Sequence, residues 1–279
     1  MKANDPNILS LMKITNYEGK TIPWEYNLFP DGQVQFKVLK ENVEFLKNIT
    51  SVKDFKLSVK VSLCNPIILD LFNQFKSMFS YPNVTINYFY GARCDKFESG
   101  DYYVCNVAQI EIRTNGRVKY LAPHCDEMLH PDDVIFYIPD CINLKDYHSV
   151  ICPDESAYRR YKKFLNSNHV SVCEKVRDQE TGRIISHKVP NHSPNFRKVL
   201  VLDDLCDGGA TFISVANSMP ENVEKHLFIF HGVFSNNALE RLTEVFDKIF
   251  VSNSLPNYKE SKERIADFDN KVVVFDVWE

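Results

Sequence analysis

The 279-residue sequence lacks the patterns that indicate export, membrane insertion or a disulfide framework. Its first residues have no apolar core of the kind a signal peptide needs, and its longest apolar runs are only of strand length. Eight cysteines are scattered along the chain and none forms a C-x-x-C pair, so the spacing typical of a metal site is absent as well. We therefore expect reduced thiols, a cytoplasmic location and no role at a membrane.

An excess of basic residues is also missing. Lysine and arginine number 33 against 37 aspartates and glutamates, which gives a net charge of −4. This balance argues against a nucleic-acid partner, because such a surface needs a clustered excess of positive charge. It leaves small phosphorylated ligands open, since a few amides and two or three cations suffice to bind them.

Short β-rich runs alternate with stretches of helical length, a pattern typical of parallel sheets built from βαβ units. We predict an α/β protein of two domains with parallel central sheets, one spanning 1–145 and the other 146–279. The predicted strands lie at 33–38, 84–90, 149–152, 169–173, 198–202, 226–230, 248–251 and 271–275, and helices at 155–166 and 210–219. The polar segment 178–195 is predicted to be a long loop, either an active-site lid or a poorly ordered segment.

The most informative stretch is 199–212, which reads VLVLDDLCDGGATF. A hydrophobic strand is predicted to end at Asp203 and Asp204, and a turn containing Gly208 and Gly209 then opens a helix. Amides of such a turn, together with the helix N-terminus, form a phosphate site. Adjacent acids at the carboxyl end of a strand lie where α/β folds bind ligands, and they can bind ribose hydroxyls and hold Mg²⁺ through water.

This stretch resembles the PRPP-binding motif shared by type I phosphoribosyltransferases and phosphoribosyl-pyrophosphate (PRPP) synthetases. Six further segments resemble synthetase motifs and follow one another in the family's order. They are 29–33 ("F-x-DGE"), 88–96 ("PY-x-YARQDRK"), 122–124 ("DLH"), 152–154 ("SPDAGG"), 174–177 ("K-x-R") and 230–235 ("THGIFS"). The chain is therefore similar to the ribose-phosphate pyrophosphokinase family over nearly its whole length, with two type I phosphoribosyltransferase-like domains implied.

The resemblance implies that the protein transfers the β,γ-diphosphate of ATP to the C1 hydroxyl of a 5-phosphorylated ribose, releases AMP and requires Mg²⁺. Lys175 and Arg177 would lie on a closing loop and neutralise charge on the diphosphate. Asp154, Asp203 and Asp204 would engage the ribose hydroxyls and the metal. The 5-phosphate would be held by Asp207, Gly208, Gly209, Ala210 and Thr211.

The resemblance also implies an ATP site and a subunit arrangement. His124 and Asp154 would bind the metal ion. The ATP-binding residues would be Phe29, Asp31, Gln33, Arg93, Asp95 and His124. Because the adenine hairpin at 29–33 serves a neighbouring subunit in this family, a homo-oligomer, either a dimer or a hexamer, is implied. In-line transfer needs positioning and cations over the equatorial phosphate oxygens, and a Lys, an Arg and Mg²⁺ supply those cations.

Three departures from the family pattern bear on the substrates. Gly208 stands where the family has a threonine, Glu155 follows Asp154 where the family has alanine, and Cys94 replaces a glutamine. The first two leave open either ribose 5-phosphate or a larger 5-substituent, as in ADP-ribose, the acceptor of a phage branch that makes ADP-ribose pyrophosphate. Two other interpretations also stay open: a phosphoribosyltransferase, and a synthetase-like regulatory subunit without turnover.

Overall fold

The computed structural model describes residues 4–16, 18–38, 57–78, 82–89, 118–165, 169–177, 184–190, 196–255, 268 and 270–279. The chain forms two compact units. The first comprises Met1–Ile135 with Ser254–Pro256 and Trp278–Glu279, and the second comprises Phe136–Asn253 and Asn257–Val277. The predicted domain boundary between 145 and 146 stays a prediction. None of the helices within the described ranges is long and apolar enough to cross a lipid bilayer.

The first unit is built on a five-stranded sheet and a separate hairpin. Its strands are β1 (Met12–Thr15), β2 (Trp24–Leu28), β3 (Val34–Val38), β4 (Ser58–Leu63), β5 (Asn83–Phe89), β6 (Val118–Leu121) and β7 (Val134–Ile135). The sheet order is β1-β4-β5-β6-β7. Strands β4 to β7 run parallel, and β1 is the antiparallel edge strand. The hairpin pairs β2 with β3.

The first unit has two helices among its described residues, the four-residue α1 (Pro6–Leu9) and α2 (Pro66–Met78). Pro66 occupies the first helical position, where an amide has no intrahelical acceptor in any case. Before it, Asn65 Oδ1 accepts a hydrogen bond from the Ile68 amide at 3.1 Å. Apolar side chains three and four positions apart then bury one face against the core: Ile68, Leu71, Phe72 and Phe75.

Helix α2 also fixes the β2–β3 hairpin. Gln74 Nε2 donates to the Val34 carbonyl at 2.9 Å, and Gln74 Oε1 accepts from the Phe36 amide at 2.8 Å. The Phe36 ring meets the Phe75 ring edge-on with centroids 5.7 Å apart. The hairpin strands are therefore anchored, whereas the turn at 29–33 is exposed.

The second unit carries a six-stranded sheet in which all neighbouring strands are parallel. Its elements are β8 (Ser149–Cys152), α3 (Glu155–Tyr161), β9 (His169–Val172), β10 (Glu174–Arg177), β11 (Ile184–Lys188), β12 (Lys198–Cys206), α4 (Ala210–Asn217), β13 (Glu224–Gly232), α5 (Ala238–Val245), β14 (Lys248–Ser252) and β15 (Val272–Phe275). The sheet order is β15-β14-β13-β12-β8-β9, and β10 pairs with β11 as a separate antiparallel ribbon. Short 3₁₀ turns occur in this unit at Leu144–Asp146 and Lys162–Phe164, and in the first unit at Asp126–Met128 and Pro131–Asp133.

The two sheets confirm the predicted α/β class with parallel-cored sheets. The central strands β12 and β13 are buried on both faces over their apolar stretches, as expected of a parallel sheet covered on both sides. Their continuous runs of Val, Leu, Ile and Phe are the reason the sequence predicts them correctly.

Three sequence predictions for the second unit need correction. The loop predicted for 178–195 contains strand β11, because its β-branched isoleucines favour extended backbone and its residues pair with β10. The predicted helix 155–166 ends at Tyr161 and continues only as a 3₁₀ turn. Strand β12 does not end at the acid pair but runs on to Cys206, because its carboxyl half pairs with β13.

Candidate functional site

The candidate site lies at the carboxyl edge of the six-stranded sheet, where β8 and β12 are neighbours. Ile151 and Val201 are register partners, so Asp154 and Asp203 follow at the same edge. Because β12 continues past the acids, Asp203 and Asp204 point to opposite faces. The Asp203 side chain is 16% exposed and the Asp204 side chain 1% exposed. Asp203 is thus the member of the pair that can reach a ligand in this arrangement.

Asp204 is held in a buried ion pair that sequence reasoning missed. Arg160 Nη1 lies 2.7 Å from Asp204 Oδ1 and 4.0 Å from Asp203 Oδ1, and the Arg160 side chain is 3% exposed. The Asp204 amide in turn donates to Asp203 Oδ1 at 2.8 Å. The ribose contact expected of Asp204 stays a prediction, and it would require this pair to open. Nothing in the sequence marks Arg160, because the pairing depends on α3 packing against β12.

Electrostatics around Asp203 favour a bound cation. Burial, and then the negative charges of Asp204 and Asp154, raise the pKa of Asp203 well above its ordinary value. A carboxylate in that state is stabilised when a cation or a hydroxyl donor arrives beside it. The site is therefore suited to a metal-bound phosphate or a sugar hydroxyl.

Asp154 begins helix α3 directly after β8. As the N-cap residue it accepts a hydrogen bond from the Ala157 amide at 3.0 Å through Oδ1. This cap fixes the side chain at the sheet edge, because an N-cap carboxylate satisfies an amide at the start of the helix. Glu155, the next residue, is exposed.

The segment predicted to bind a phosphate, residues 207–209 (the phosphate loop), follows β12 and leads into helix α4. Gly209 is the N-cap, with a φ of 76° and no side-chain cap, so the first amides of α4, including those of Ala210 and Thr211, have no intrahelical acceptor. A Cβ at Gly209 would lie 3.4 Å from Ala238 Cβ and 3.4 Å from Leu242 Cδ1. The left-handed backbone conformation is therefore what favours glycine at this position, because the Cβ itself would make close but tolerable contacts.

Gly208 differs from its neighbour. A Cβ there would meet only Ser235 Oγ, at 3.9 Å, which is ordinary van der Waals contact. Space beside Gly208 would thus accommodate a side chain, and the absence of one leaves the edge of the phosphate loop open. The positive end of α4 adds a favourable potential for an anion at this place.

Three cysteines lie near the same edge of the sheet, but their thiols are not suited to act as nucleophiles. Burial is the first cause that raises the pKa of Cys152 and Cys206, and it raises the pKa of Cys173 to about 12. Their thiols are neutral at physiological pH, and a neutral thiol is a weak nucleophile. Thiol catalysis is not what this edge of the sheet provides.

Comparison with known proteins agrees with the motifs in the sequence. No family model matches the chain. A segment of 121 residues is 27% identical to a ribose-phosphate pyrophosphokinase of Pyrococcus abyssi and covers 43% of this chain and 42% of that protein. Ribose-phosphate pyrophosphokinase 4 of Arabidopsis thaliana is 31% identical over 38% of this chain and 34% of its own length. The corresponding protein of Thermoplasma volcanium is 22% identical over 60% of each chain.

These matched segments span less than two thirds of the relatives' own lengths. The chain is also similar to the crystal structure of phosphoribosylpyrophosphate synthetase from Mycobacterium smegmatis, with a TM-score of 0.67 over 93% of this chain and 88% of that one, at 17% identity. The chain is thus distantly similar to ribose-phosphate pyrophosphokinases and shares the fold of a phosphoribosylpyrophosphate synthetase.

The two residues expected to be catalytic in a ribose-phosphate pyrophosphokinase lie on β10. Lys175 and Arg177 are register partners of His187 and Ile184 on β11. The ribbon is tied to α4 because the His187 amide donates to Ser214 Oγ at 3.0 Å. The side chains of Lys175 and Arg177 fall outside what the structure describes, so their roles stay predictions.

The expected ATP-binding residues of the pyrophosphokinase motifs belong to the first unit. Phe29 is the exposed large apolar residue of the described chain, at 42% exposure, in the β2–β3 turn. Its amide donates to the Gln33 carbonyl at 2.8 Å, and the Gln33 amide donates to Asp31 Oδ1 at 3.1 Å, which orders the turn. The hairpin therefore presents an aromatic face together with polar groups, and the adenine contact expected of it stays a prediction.

The remaining expected residues are described only in part. His124 is half-buried in the turn after β6, where Ala122 has a φ of 41°. Arg93, Asp95 and Cys94 lie outside the described residues. Across the described ranges, no three His, Cys, Asp or Glu side chains are grouped closely enough to hold a metal alone. The oxygen donors of Asp154 and Asp203 nevertheless fit Mg²⁺, which keeps several waters and takes one or two carboxylates together with substrate phosphates.

Proposed function

We propose that this protein is an ATP-dependent pyrophosphokinase. It transfers the β,γ-diphosphate of ATP to the C1 hydroxyl of a ribose phosphorylated at its 5-position and releases AMP. The observation that supports this most is the joint placement of Asp203, the phosphate loop at 207–209 and the start of α4 at one sheet edge, in a chain similar to this family. At this edge one ligand could bind the first amides of α4 through its phosphate and Asp203 through a ribose hydroxyl.

Each part of the site has a distinct task in the proposed reaction. The first amides of α4 hold the 5-phosphate, and Asp203 accepts hydrogen bonds from ribose hydroxyls. Lys175 and Arg177 place positive charge over the transferred diphosphate, where charge is stabilised in the transition state. When bound, Mg²⁺ neutralises phosphate charge, and in the second unit Asp154 and Asp203 are the residues that would hold it. The metal role of His124 stays a prediction from the motifs.

We also propose a homo-oligomer, a dimer or a hexamer. Phe29 is exposed at the tip of an anchored hairpin, and in the pyrophosphokinases that the chain resembles this hairpin contacts the ATP of a neighbouring subunit. An adenine bound between this hairpin and a neighbouring copy would cover the aromatic ring. Sedimentation with and without ATP tests the subunit count.

The proposed acceptor class includes ribose that carries a diphosphate ester, with ADP-ribose accepted at least as well as ribose 5-phosphate. Gly208 supports this because it lacks the hydroxyl that would cap a phosphate monoester and leaves space next to Ser235 Oγ. A diphosphate ester must continue outward past the loop, so an open edge favours it. Such an acceptor is that of the phage ADP-ribose branch of the family.

The reaction is tested by incubating the protein with ATP, Mg²⁺ and either acceptor, and by identifying the products by mass spectrometry. AMP and a diphosphorylated acceptor are expected in equal amounts, and EDTA should abolish both. Binding of ATP without AMP formation would support a regulatory subunit instead. Consumption of PRPP with a nucleobase would support a phosphoribosyltransferase.

Gly208→Thr tests the acceptor separately. The change restores a capping hydroxyl and narrows the open edge, so kcat/KM should shift toward ribose 5-phosphate by about 10- to 100-fold relative to ADP-ribose. Gly208→Ala is the matched control, because it adds a Cβ without a hydroxyl. That Cβ would contact Ser235 Oγ at 3.9 Å and should not change the preference between the two acceptors. Efficient conversion of ribose 5-phosphate by the wild type with no use of ADP-ribose would overturn this acceptor assignment.

A further inference from the structure

Arg241, which none of the motifs contains, links the phosphate loop to the loop after β13. Its Nη2 donates to the Gly208 carbonyl at 2.7 Å and to the Asn236 carbonyl at 3.3 Å. Arg241 lies on the exposed face of α5. One nitrogen of the guanidinium thus bonds two loops, and its other N–H groups have no acceptor among the described residues.

The bond from Arg241 holds the carbonyl of the Gly208–Gly209 peptide. This peptide immediately precedes the amides of α4 that face the proposed phosphate.

Two consecutive glycines give this loop unusual backbone freedom. Glycine has more backbone freedom than any other residue, so an unrestrained Gly-Gly pair samples many conformations that do not fit a phosphate. The hydrogen bond from Arg241 to the Gly208 carbonyl fixes the peptide between the two glycines and so restricts that freedom.

The loop that Arg241 reaches is itself conformationally constrained. Phe234, Asn236 and Asn237 all have positive φ values, 49°, 54° and 54°. Non-glycine residues adopt this region only when surrounding contacts hold them there. The Val233 amide donates to the Cys206 carbonyl at 2.8 Å, so this loop is also fixed to the end of β12. Arg241 thus bonds to a rigid partner rather than to a second flexible segment.

We propose that Arg241 is a positioning residue for the acceptor's phosphate: it holds the Gly208 carbonyl so that the first amides of α4 meet the 5-phosphate, and it adds positive charge beside that anion. This inference rests on the proposed function, because it concerns the phosphate side of the same acceptor. Arg241 takes no part in transferring the diphosphate. Its loss should weaken acceptor binding and leave the ATP side unchanged.

The test compares Arg241→Met and Arg241→Lys with Lys145→Met. Lys145 is an exposed cation in the 3₁₀ turn that precedes β8, at the other end of that strand, and its loss changes the net charge equally. Arg241→Met should raise the KM for the 5-phosphorylated acceptor about tenfold, the effect of losing one charge-assisted hydrogen bond. The KM for ATP should not change, and Arg241→Lys should recover most of the acceptor affinity. Thermal unfolding identifies any variant that fails to fold. If Arg241→Met fails to fold, the acceptor KM of Arg241→Lys is compared with that of Lys145→Met instead.

The outcomes separate this inference from the proposed function. An acceptor KM for Arg241→Met equal to that of Lys145→Met would overturn the positioning role, while wild-type turnover would leave the pyrophosphokinase assignment standing. Equal increases in the KM values for acceptor and ATP would overturn it as well, because they would indicate a general loss of structure. If the wild type forms no AMP, the proposed function fails. Calorimetric titration of wild type and variants with ribose 5-phosphate then tests Arg241 by affinity alone.

Discussion

Replacing Arg160 with methionine should destabilise the second unit strongly. The guanidinium is 2.7 Å from Asp204 Oδ1, and both side chains are almost completely buried, at 3% and 1% exposure. Methionine keeps much of the apolar stem but leaves the Asp204 carboxylate without its counter-ion. That carboxylate must then take up a proton or draw water into the core.

The magnitude follows from this burial. Breaking a buried ion pair by removing one partner costs about 3–5 kcal/mol, because an uncompensated charge is left behind. An exposed pair of the same geometry would contribute only about 0–1 kcal/mol. The neighbouring carboxylate of Asp203, 4.0 Å from Arg160 Nη1, makes the uncompensated negative charge still less favourable.

Urea denaturation of Arg160→Met, Asp204→Leu and the double variant measures the pair through a double-mutant cycle. Each single variant should lose several kcal/mol, whereas the double variant should recover most of it, since apolar residues can replace a buried pair without loss. Arg159→Met, one position earlier on α3, is the control and should cost less than about 1 kcal/mol. A loss for Arg160→Met below about 1 kcal/mol would refute the argument, because the pair would then behave like an exposed one.

Three further outcomes follow from the site. Gly209→Ala should destabilise the protein by about 1–2 kcal/mol in thermal unfolding, because the φ of 76° at this position disfavours a Cβ. Gly208→Ala is the control and should change the stability very little. Equal losses of stability in the two variants would contradict the assigned backbone geometry. Asp203 has a raised pKa in the folded state, so its contribution to stability is present below its unfolded pKa of about 4 and is lost as pH rises through the folded pKa. Asp203→Asn should therefore be more stable than wild type at neutral pH, with a difference that disappears in acid; urea midpoints at several pH values decide this. Lys175→Ala should lower kcat by roughly 100-fold with little change in ATP affinity, since a loop cation acts on transition-state charge, and an unchanged kcat would remove the lysine from the mechanism.

The strands were predictable where packing imposes a simple pattern. β12 and β13 are continuous apolar runs, and buried parallel strands produce that pattern. Strand β11 was not predictable in the same way, because only its first two residues are apolar. It is stabilised by pairing with β10 and by the hydrogen bond between His187 and Ser214. Sequence patterns do not contain such pairings.

The phosphate loop and Asp203 could be located from the sequence because glycines, acids and a helix start follow one another within a few residues. Local order along the chain determines that much: a strand, a turn with positive φ at Gly209, and a helix N-terminus. The tertiary structure alone decided that Asp203 and Asp204 differ, one at the ligand side and one paired with Arg160. Only the tertiary structure shows the hydrogen bond from Arg241 to the Gly208 carbonyl. These residues are 33 positions apart, so the bond depends on how α5 packs against the loop.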